Sequence, residues 1–255
     1  MYQATCTALA NAAAGKVNLL KNRPAAFVVS SVLAGVFVAF GSVIFLSTGG
    51  MLTAAGSPLA RFLACLMFSA ALSLVVMAGS DLFTGNNLTV GMGVLEKTVT
   101  LRDALVLWGV CWLGNLVGSL AVAFAFHFAQ LSAAEATAAY IASAALAKAT
   151  AAPVVLFWKG LLCNLCVCLA VWCATKLQSE SGKLIMVVWC ILIFMLCGFE
   201  HSVANMSIIP LGRLNGVGGV PLAGCAKNLL FVSLGNFVGG FGCVALPYWF
   251  ISKQK

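Results

Sequence analysis

Two short polar segments interrupt long apolar runs in this 255-residue chain. The first is Asp-Leu-Phe-Thr-Gly-Asn-Asn at residues 81–87, and the second is Glu-His-Ser-Val-Ala-Asn at residues 200–205. Irregular polar backbone at membrane depth is tolerated only where protein or a water-filled cavity surrounds it. The two segments therefore predict two broken membrane helices beside a pathway for a polar solute.

Asp81 and Glu200 are the two carboxylates of these segments. A bare carboxylate in the membrane is costly, so each is expected to be paired or hydrogen-bonded. Each precedes an asparagine, Asn86 or Asn205, by five residues. Because the spacing recurs, we favour a structural role, in which each carboxylate caps its broken segment by accepting bonds from freed backbone N–H groups, over direct contact with a substrate.

Thr84 and His201 lie in corresponding segments but are not equivalent residues. Histidine exchanges a proton near neutral pH, and threonine can donate or accept a hydrogen bond. If the two segments are related by inverted symmetry, these side chains should face each other near the centre of the membrane. An ionisable residue inside a membrane is a functional candidate by default, and a satisfied core histidine is the alternative.

The composition is that of an integral membrane protein. Hydrophobic residues make up 62% of the chain and charged residues 8%, against about 25% charged in soluble domains. The net charge of +8 comes from single basic residues at the ends of apolar runs, which argues against nucleic-acid binding. The pair Cys163 and Cys166 has the spacing of a metal motif, but no histidine or second pair accompanies it, so no metal or other cofactor is predicted.

Six membrane spans are predicted, since about 20 apolar residues cross the hydrocarbon core. Residues 1–24 are predicted as a cytoplasmic amphipathic segment, and residues 47–58, 131–152 and 210–221 as connections. The predicted spans are 25–46, 62–95 with its break, 104–130, 154–175, 184–209 with its break, and 228–251.

An internal duplication supports this division. Leu-Gly-Asn-x-Val-Gly at 113–118 recurs at 234–239, and the carboxylate–asparagine spacing recurs at nearly the same offset. Repeats of about 25–130 and 153–252 within a single domain of residues 1–255 contain three spans each, and an odd number inverts the second copy. The expected fold is all-α, with six transmembrane helices in two inverted three-helix repeats, broken helices two and five, and a site at the midplane. The paired glycines should let helices approach closely.

Basic residues predict the orientation of the chain. The face carrying the termini holds more of them than the other face, which places both termini in the cytoplasm. The first group is Lys16, Lys21, Arg23, Lys97, Arg102, Lys176, Lys183, Lys253 and Lys255, and the second is Arg61, Lys148, Lys159, Arg213 and Lys227.

Apolar side chains near the breaks could form gates, because an apolar ring can close a pore by dewetting. Phe68, Leu72, Leu82 and Phe194 are candidates, although each taken singly is also consistent with core packing. Lys148 and Lys159 could attract an anion to the outer mouth, with snorkelling to lipid headgroups as the alternative for Lys159.

Three motifs resemble the formate/nitrite transporter family across essentially the whole chain. They are Leu-Phe-Thr-Gly-Asn-Asn at 82–87, Lys-Gly-x-x-x-Asn-x-x-Val-Cys-Leu-Ala at 159–170 and Gly-Phe-Glu-His-Ser-Val-Ala-Asn-Met at 198–206. The resemblance implies an aquaporin-like protomer, a homopentamer with one pore per protomer, and permeation by small monovalent anions. Asn87 and Ser207 look most like the hydrosulfide branch of the family.

The same resemblance assigns roles to particular residues. Thr84 and His201 would form the central pore site, and Asn164 and Glu200 would orient it. Lys148 would stand near the pore entrance. Phe68, Leu72 and Phe194 would form the outer constriction, with Leu82 and Val167 as the inner slit.

The predicted function is a passive channel for hydrosulfide, formate or nitrite in the cell inner membrane, not an enzyme. A proton-coupled anion carrier is one alternative. An aquaporin-like pore for neutral solutes is another, but that class normally shows paired Asn-Pro-Ala motifs and a selectivity arginine, and this sequence lacks both. The anion could cross escorted by donors at Thr84 and His201, or could take a proton near His201 and cross as a neutral acid.

Overall fold

The computed structural model describes residues 2–215 and 219–253, and these residues form helices and short connections with no β-strand. Two π-helical turns, Val75–Gly79 and Val238–Ala245, continue α4 and α11. The helices are α1 Gln3–Asn22, α2 Pro24–Ala54, α3 Ala60–Met67, α4 Ala70–Leu74, α5 Phe83–Leu95, α6 Leu101–Phe128, α7 Glu135–Thr150, α8 Pro153–Lys176, α9 Glu180–Leu196, α10 Ser202–Leu214, α11 Leu222–Phe237 and α12 Leu246–Lys253.

Five segments of the described chain are long and apolar enough to cross a membrane. They are Pro24–Ala54, Ala60–Gly79, Leu101–Phe128, Pro153–Lys176 and Leu222–Lys253. The fifth predicted span is divided into α9 and α10, of 17 and 13 residues, at the second polar segment. The all-helical, multi-pass membrane architecture is confirmed, and the count of six crossings stays a prediction.

The predicted connection at residues 47–58 is wrong over most of its length, because α2 continues to Ala54. Gly49 and Gly50 suggested a loop, but both are buried within the helix. A Cβ atom at Gly49 would overlap the ring of Tyr140 on α7, and one at Gly50 would meet the α7 backbone at Ala136. These glycines therefore serve close helix packing.

Two other predicted connections also contain helix. Residues 131–152 contain α7, whose sequence is rich in alanine, the residue with the highest intrinsic helix propensity. In residues 210–221, α10 continues through Pro210 to Leu214, because burial of this helix outweighs the loss of one backbone donor. Residues 216–218 of that connection, and Lys255 in the charge balance, lie outside the described part of the chain.

The second half of each broken helix is enclosed by protein. In α5, every residue from Phe83 to Gly93 is buried, and α10 is buried from Ser202 to Ile209. Large apolar side chains are instead exposed on the long helices and on the first halves α3 and α9. Both polar segments are therefore shielded from lipid, as backbone without regular helix requires.

Paired glycines bring the long helices together, as their spacing predicted. Gly114 and Gly118 on α6 face the α2 backbone at Ser31 and Val32, where a Cβ atom would overlap main-chain or side-chain atoms. On α11, Gly235 and the nearby Gly239 meet the α8 backbone at Phe157 and Leu161 in the same way. These two helix pairs frame the broken helices between them.

Candidate functional site

Asn115 on α6 fixes the backbone of the first polar segment. Its Oδ1 accepts the backbone N–H of Phe83 at 2.9 Å. Its Nδ2 donates to the carbonyl of Ser31 at 2.7 Å and to the carbonyl of Asp81 at 2.9 Å. One fully buried amide thereby satisfies backbone groups on both sides of the break and ties them to α2.

Asn236 on α11 makes the corresponding three bonds in the second polar segment. Its Oδ1 accepts the backbone N–H of Ser202 at 2.9 Å, and its Nδ2 donates to the carbonyls of Gly160 at 2.8 Å and Glu200 at 3.0 Å. Asn115 and Asn236 are the third residues of the two Leu-Gly-Asn-x-Val-Gly motifs. Those motifs predicted the duplication, but the sequence did not show that their asparagines hold the breaks.

The two carboxylates are paired with lysines on α1 and α7, the helices that precede the long helices α2 and α8. Lys16 on α1 contacts Asp81 at 2.5 Å, and Lys148 on α7 contacts Glu200 at 3.0 Å. Burial leaves the carboxylate side chains 7% and 9% exposed, so each needs its partner. The expected pairing is confirmed, although Lys16 was not foreseen as a partner.

The expected capping by these carboxylates is wrong. Asp81 accepts side-chain bonds from Lys16, Ser30 and Asn86, and Glu200 accepts them from Lys148 and Asn205. Neither carboxylate accepts a freed backbone N–H among the described residues, because Asn115 and Asn236 hold the N–H groups at Phe83 and Ser202.

Thr84 and His201 meet between the two breaks. Thr84 Oγ1 lies 3.0 Å from His201 Nε2. Thr84 is fully buried and His201 is 5% exposed. The contact joins the start of α5 to the residue that precedes α10, so it brings the two polar segments together inside the protein.

The histidine tautomer follows from a second hydrogen bond. His201 Nδ1 accepts the backbone N–H of Ala204 at 3.1 Å and so caps α10. A nitrogen that accepts a hydrogen bond carries no proton, which leaves the proton of the neutral ring on Nε2. Nε2–H therefore donates to Thr84 Oγ1, and the threonine hydroxyl hydrogen is free to be donated elsewhere.

Asn164 and Cys168 on α8 hold Thr84 in position through its backbone carbonyl. Asn164 Nδ2 donates to the carbonyl of Thr84 at 3.2 Å and to that of Asn236 at 2.6 Å, and the thiol of Cys168 lies 3.4 Å from the Thr84 carbonyl. The buried Oδ1 of Asn164 has no partner among the described residues. The role of Cys168 could not be found from sequence, since a thiol in an apolar run suggests only packing.

Aromatic rings cover His201 on one side. Phe194 stacks on the imidazole with ring centroids 5.9 Å apart, and Phe68 packs edge-on against Phe194 at the same centroid distance. Both phenylalanines are at most 2% exposed. An apolar layer therefore lies directly against the polar centre.

Two cavities approach this centre and have no lining residue in common. One of about 360 Å³, here called the α7-side cavity, is lined in part by Lys148, Phe194, Glu200 and His201. The other, of about 350 Å³ and called the α1-side cavity, is lined in part by Lys16, Leu72, Asp81 and Leu82. The α1-side cavity lies on the face of the termini, where α1 packs against α12.

The predicted constriction residues are divided between the two cavity linings and the buried core. Leu72 and Leu82 both line the α1-side cavity, whereas Phe194 lines the α7-side cavity. Val167 is 1% exposed in the core, one helical turn before Val171, which lines the α1-side cavity. Phe68 lies in the core cluster with them.

The cysteines are free thiols in the structure. Within residues 2–215 and 219–253, no group of three or more histidine, cysteine, aspartate or glutamate side chains could hold a metal ion. Cys163 and Cys166 are both buried on α8.

Comparison with known proteins identifies relatives along the whole chain. The family model described as formate/nitrite transporter matches residues 3–250. The nitrite transporter NirC of Salmonella typhimurium is 38% identical over 256 residues, covering all of this chain and 94% of that protein. The formate channel FocA of Haemophilus influenzae is 32% identical, covering 95% of this chain and 91% of that one.

A solved structure shares the fold. A channel described as an FNT family ion channel superposes with a TM-score of 0.92 at 37% sequence identity. The match covers 98% of this chain and 99% of that one. The overall helix arrangement is thus that of a solved channel structure.

Proposed function

The chain belongs to the formate/nitrite transporter family, whose members are transporters or channels and not enzymes, and we propose that it is a passive channel for small monovalent anions of weak acids. The observation that carries this proposal is the Thr84–His201 contact between two cavities. It places two hydrogen-bond donors at the polar centre that separates the cavities. Donors favour an anion over a cation at this position.

The centre reduces the cost of removing water from an anion. Burying an unpaired charge in an apolar layer is strongly unfavourable, and compensating hydrogen bonds lower that cost. An anion that reaches Thr84 can accept a hydrogen bond from the free threonine hydroxyl. If the Thr84 side chain rotates away from His201, the Nε2–H of His201 becomes a second donor to the anion. The apolar rings of Phe68 and Phe194 keep bulk water from replacing these donors.

The histidine geometry favours escort of the anion over transfer of a proton to it. Donating a proton as an acid requires the imidazolium form, which carries hydrogens on both ring nitrogens. In that form Nδ1–H would point at the Ala204 N–H, and the cap of α10 would be lost. Neutral His201 keeps its cap and donates a hydrogen bond without releasing a proton.

Formate, nitrite and hydrosulfide are the proposed substrates. Relatives are called a nitrite transporter and a formate channel, and Asn87 and Ser207 are the residues whose local motifs look most like the hydrosulfide branch. Each of these ions is small, carries one negative charge and is the conjugate base of a weak acid. The donors at Thr84 and His201 do not distinguish among the three.

The proposed setting is the cell inner membrane, with both termini in the cytoplasm and five protomers each carrying its own pore. We also propose one domain of two inverted repeats. The repeats would include α1 and α7, since Lys16 and Lys148 pair with the two carboxylates in the same way. That extends the repeat bounds expected from sequence to about residues 3–128 and 135–253.

Flux measurements on purified protein test the proposal. We expect formate, nitrite and hydrosulfide to enter protein-containing liposomes much faster than empty ones, with chloride slow, at both pH 6 and pH 8 (about two units apart, to span ordinary histidine titration). Osmotic swelling with water alone and no anion flux would contradict an anion channel. Uphill uptake driven by a pH gradient would show a proton-coupled carrier instead.

A further inference from the structure

The two cavities share a framework but differ in charge. The backbone N–H of Asp81 donates to the carbonyl of Ser30, and that of Glu200 donates to the carbonyl of Lys159. Ser30 and Lys159 therefore occupy equivalent positions, and they line the α1-side and α7-side cavities respectively. The duplicated scaffold holds a hydroxyl on one face and an ammonium group on the other.

A second pair of positions differs in the same direction. Arg61, near the start of α3, lines the α7-side cavity. The offset that relates Asp81 to Glu200 relates Arg61 to Glu180, which lies at the start of α9 beside the α1-side cavity. At this position the α7 side carries a guanidinium, and the α1 side carries a carboxylate that is neutralised by Lys183 at 2.8 Å.

The charge balance of the cavities follows from these differences. In the α7-side cavity, Glu200 is neutralised by Lys148, which leaves Arg61 and Lys159 as uncompensated cations among the described lining residues. In the α1-side cavity, Lys16 and Asp81 neutralise each other. The described lining of the α7-side cavity therefore attracts anions by charge more strongly than the described lining of the α1-side cavity.

The two surplus cations have donors to offer. Arg61 uses one donor of its guanidinium on the carbonyl of Leu196 at 2.7 Å, at the end of α9, which fixes the group against the cavity wall. Its other donors have no partner within the described residues. Lys159 is half-buried, and its ammonium group makes no hydrogen bond or ion pair with the described part of the chain. Tyr140 and Ser143 add hydroxyl groups to the same lining.

We propose that Arg61 and Lys159 form an anion-capture site in the α7-side cavity, with no counterpart in the described lining of the α1-side cavity, so that the channel loads anions more readily from one face. The site takes small oxyanions or hydrosulfide before they reach the centre. This inference rests on the proposed anion-channel function. Each cation is expected to raise anion occupancy by on the order of two- to threefold in water, and the pair by about five- to tenfold.

Face-resolved kinetics test the site. Liposomes are captured through a C-terminal affinity tag, which separates vesicles with the termini outside from those with the termini inside. At low ionic strength, we expect the half-saturating formate concentration to be about five- to tenfold lower for entry from the α7 side. Arg61→Gln and Lys159→Gln should each raise that value two- to threefold and leave entry from the α1 side unchanged. At about 1 M ionic strength, where the Debye length is about 3 Å, the difference should nearly vanish.

Lys227→Gln is the matched control. Lys227 lies near the start of α11, next to Asn228, which donates to the Lys148 carbonyl, and it does not line the cavity. The Lys227→Gln substitution removes the same charge from the same face as Lys159→Gln. Because Lys227 lies outside the cavity lining, Lys227→Gln should raise the half-saturating formate concentration much less than Lys159→Gln does. Equal effects of the control and the cavity variants would overturn the capture site.

Three further outcomes decide between causes. If Arg61 and Lys159 instead hold lipid phosphates, the substitutions change stability in lipid but not the face-resolved half-saturation, and the proposal is wrong. Formate flux with identical half-saturation from both faces also overturns it while leaving the channel function intact. Absence of flux from either face overturns the channel function itself.

Discussion

Replacing Asn236 with alanine is expected to destabilise the protein by about 3 to 5 kcal/mol. The change removes three hydrogen bonds and leaves the N–H of Ser202 and the carbonyls of Gly160 and Glu200 without that partner in a buried site. Each unsatisfied buried group costs about 1–3 kcal/mol. The midpoint of denaturant-induced unfolding in detergent micelles, followed by circular dichroism, measures the loss.

Asn115→Ala should cost a similar amount, because Asn115 makes the matching bonds in the first repeat. Asn18→Ala provides the control. Asn18 is exposed on α1 and bonds only to the side chain of Asn22 among the described residues, so its loss should cost well under 1 kcal/mol. A small effect at both Asn115 and Asn236 would show that the breaks do not depend on these amides.

Breaking the Lys148–Glu200 pair from one side should cost about 3 kcal/mol. Removing either partner leaves a charge that is largely buried and no longer compensated. We expect Lys148→Met and Glu200→Gln each to lower the free energy of unfolding. The double variant should recover part of the loss, since the amide oxygen of the substituted side chain still accepts the bond from Asn205 and no charge remains unpaired. A double-mutant cycle on unfolding midpoints should give a coupling energy of about 2 kcal/mol.

The surface pair Lys183–Glu180 serves as the comparison. Glu180 is 64% exposed and the two residues are separated by one helical turn. Its coupling energy should stay below about 1 kcal/mol, since water and salt screen an exposed pair. Equal coupling in both cycles would mean that burial does not strengthen the Lys148–Glu200 pair.

The sequence was most informative where residue type conflicted with its surroundings. Carboxylates and asparagines inside apolar runs are costly to expose to lipid. Both breaks could therefore be located from the polar residues that interrupt the apolar runs. The recurring spacing of Asp81 to Asn86 and Glu200 to Asn205 then predicted a duplication. These signals are local and survive without any knowledge of packing.

Glycine and alanine misled the prediction of helix ends. Gly49 and Gly50 suggest a loop in a soluble context, but here they let α2 approach α7. Residues 131–152 contain too few large apolar side chains to cross a membrane, so they were predicted as a connection. Most of this segment nevertheless forms helix α7. A glycine in a membrane helix can mark either a turn or a close contact, and only the position of the neighbouring helix decides which.

The hydrogen-bond partners at the site could not be predicted because they join distant parts of the chain. Lys16 and Asp81 are separated by 65 residues, and Asn164 and Thr84 by 80. Local spacing carries no information on such pairs. The histidine tautomer has the same origin, since it depends on the Ala204 N–H reaching Nδ1 once α10 has formed.

Anion flux through variants of the Thr84–His201 contact tests the central claim most directly. Purified Thr84→Val and His201→Ala proteins in liposomes should each conduct formate, nitrite and hydrosulfide at least about tenfold more slowly than the unmodified protein. The reason is that loss of a hydrogen-bond donor to the dehydrated anion raises the free-energy barrier to its passage by about 1.4 kcal/mol or more. Thr175→Val, which removes a hydroxyl that bonds within α8 away from the centre, should conduct normally. Unchanged anion flux and unchanged pH dependence in both central variants, with the proteins folded, would contradict the assignment.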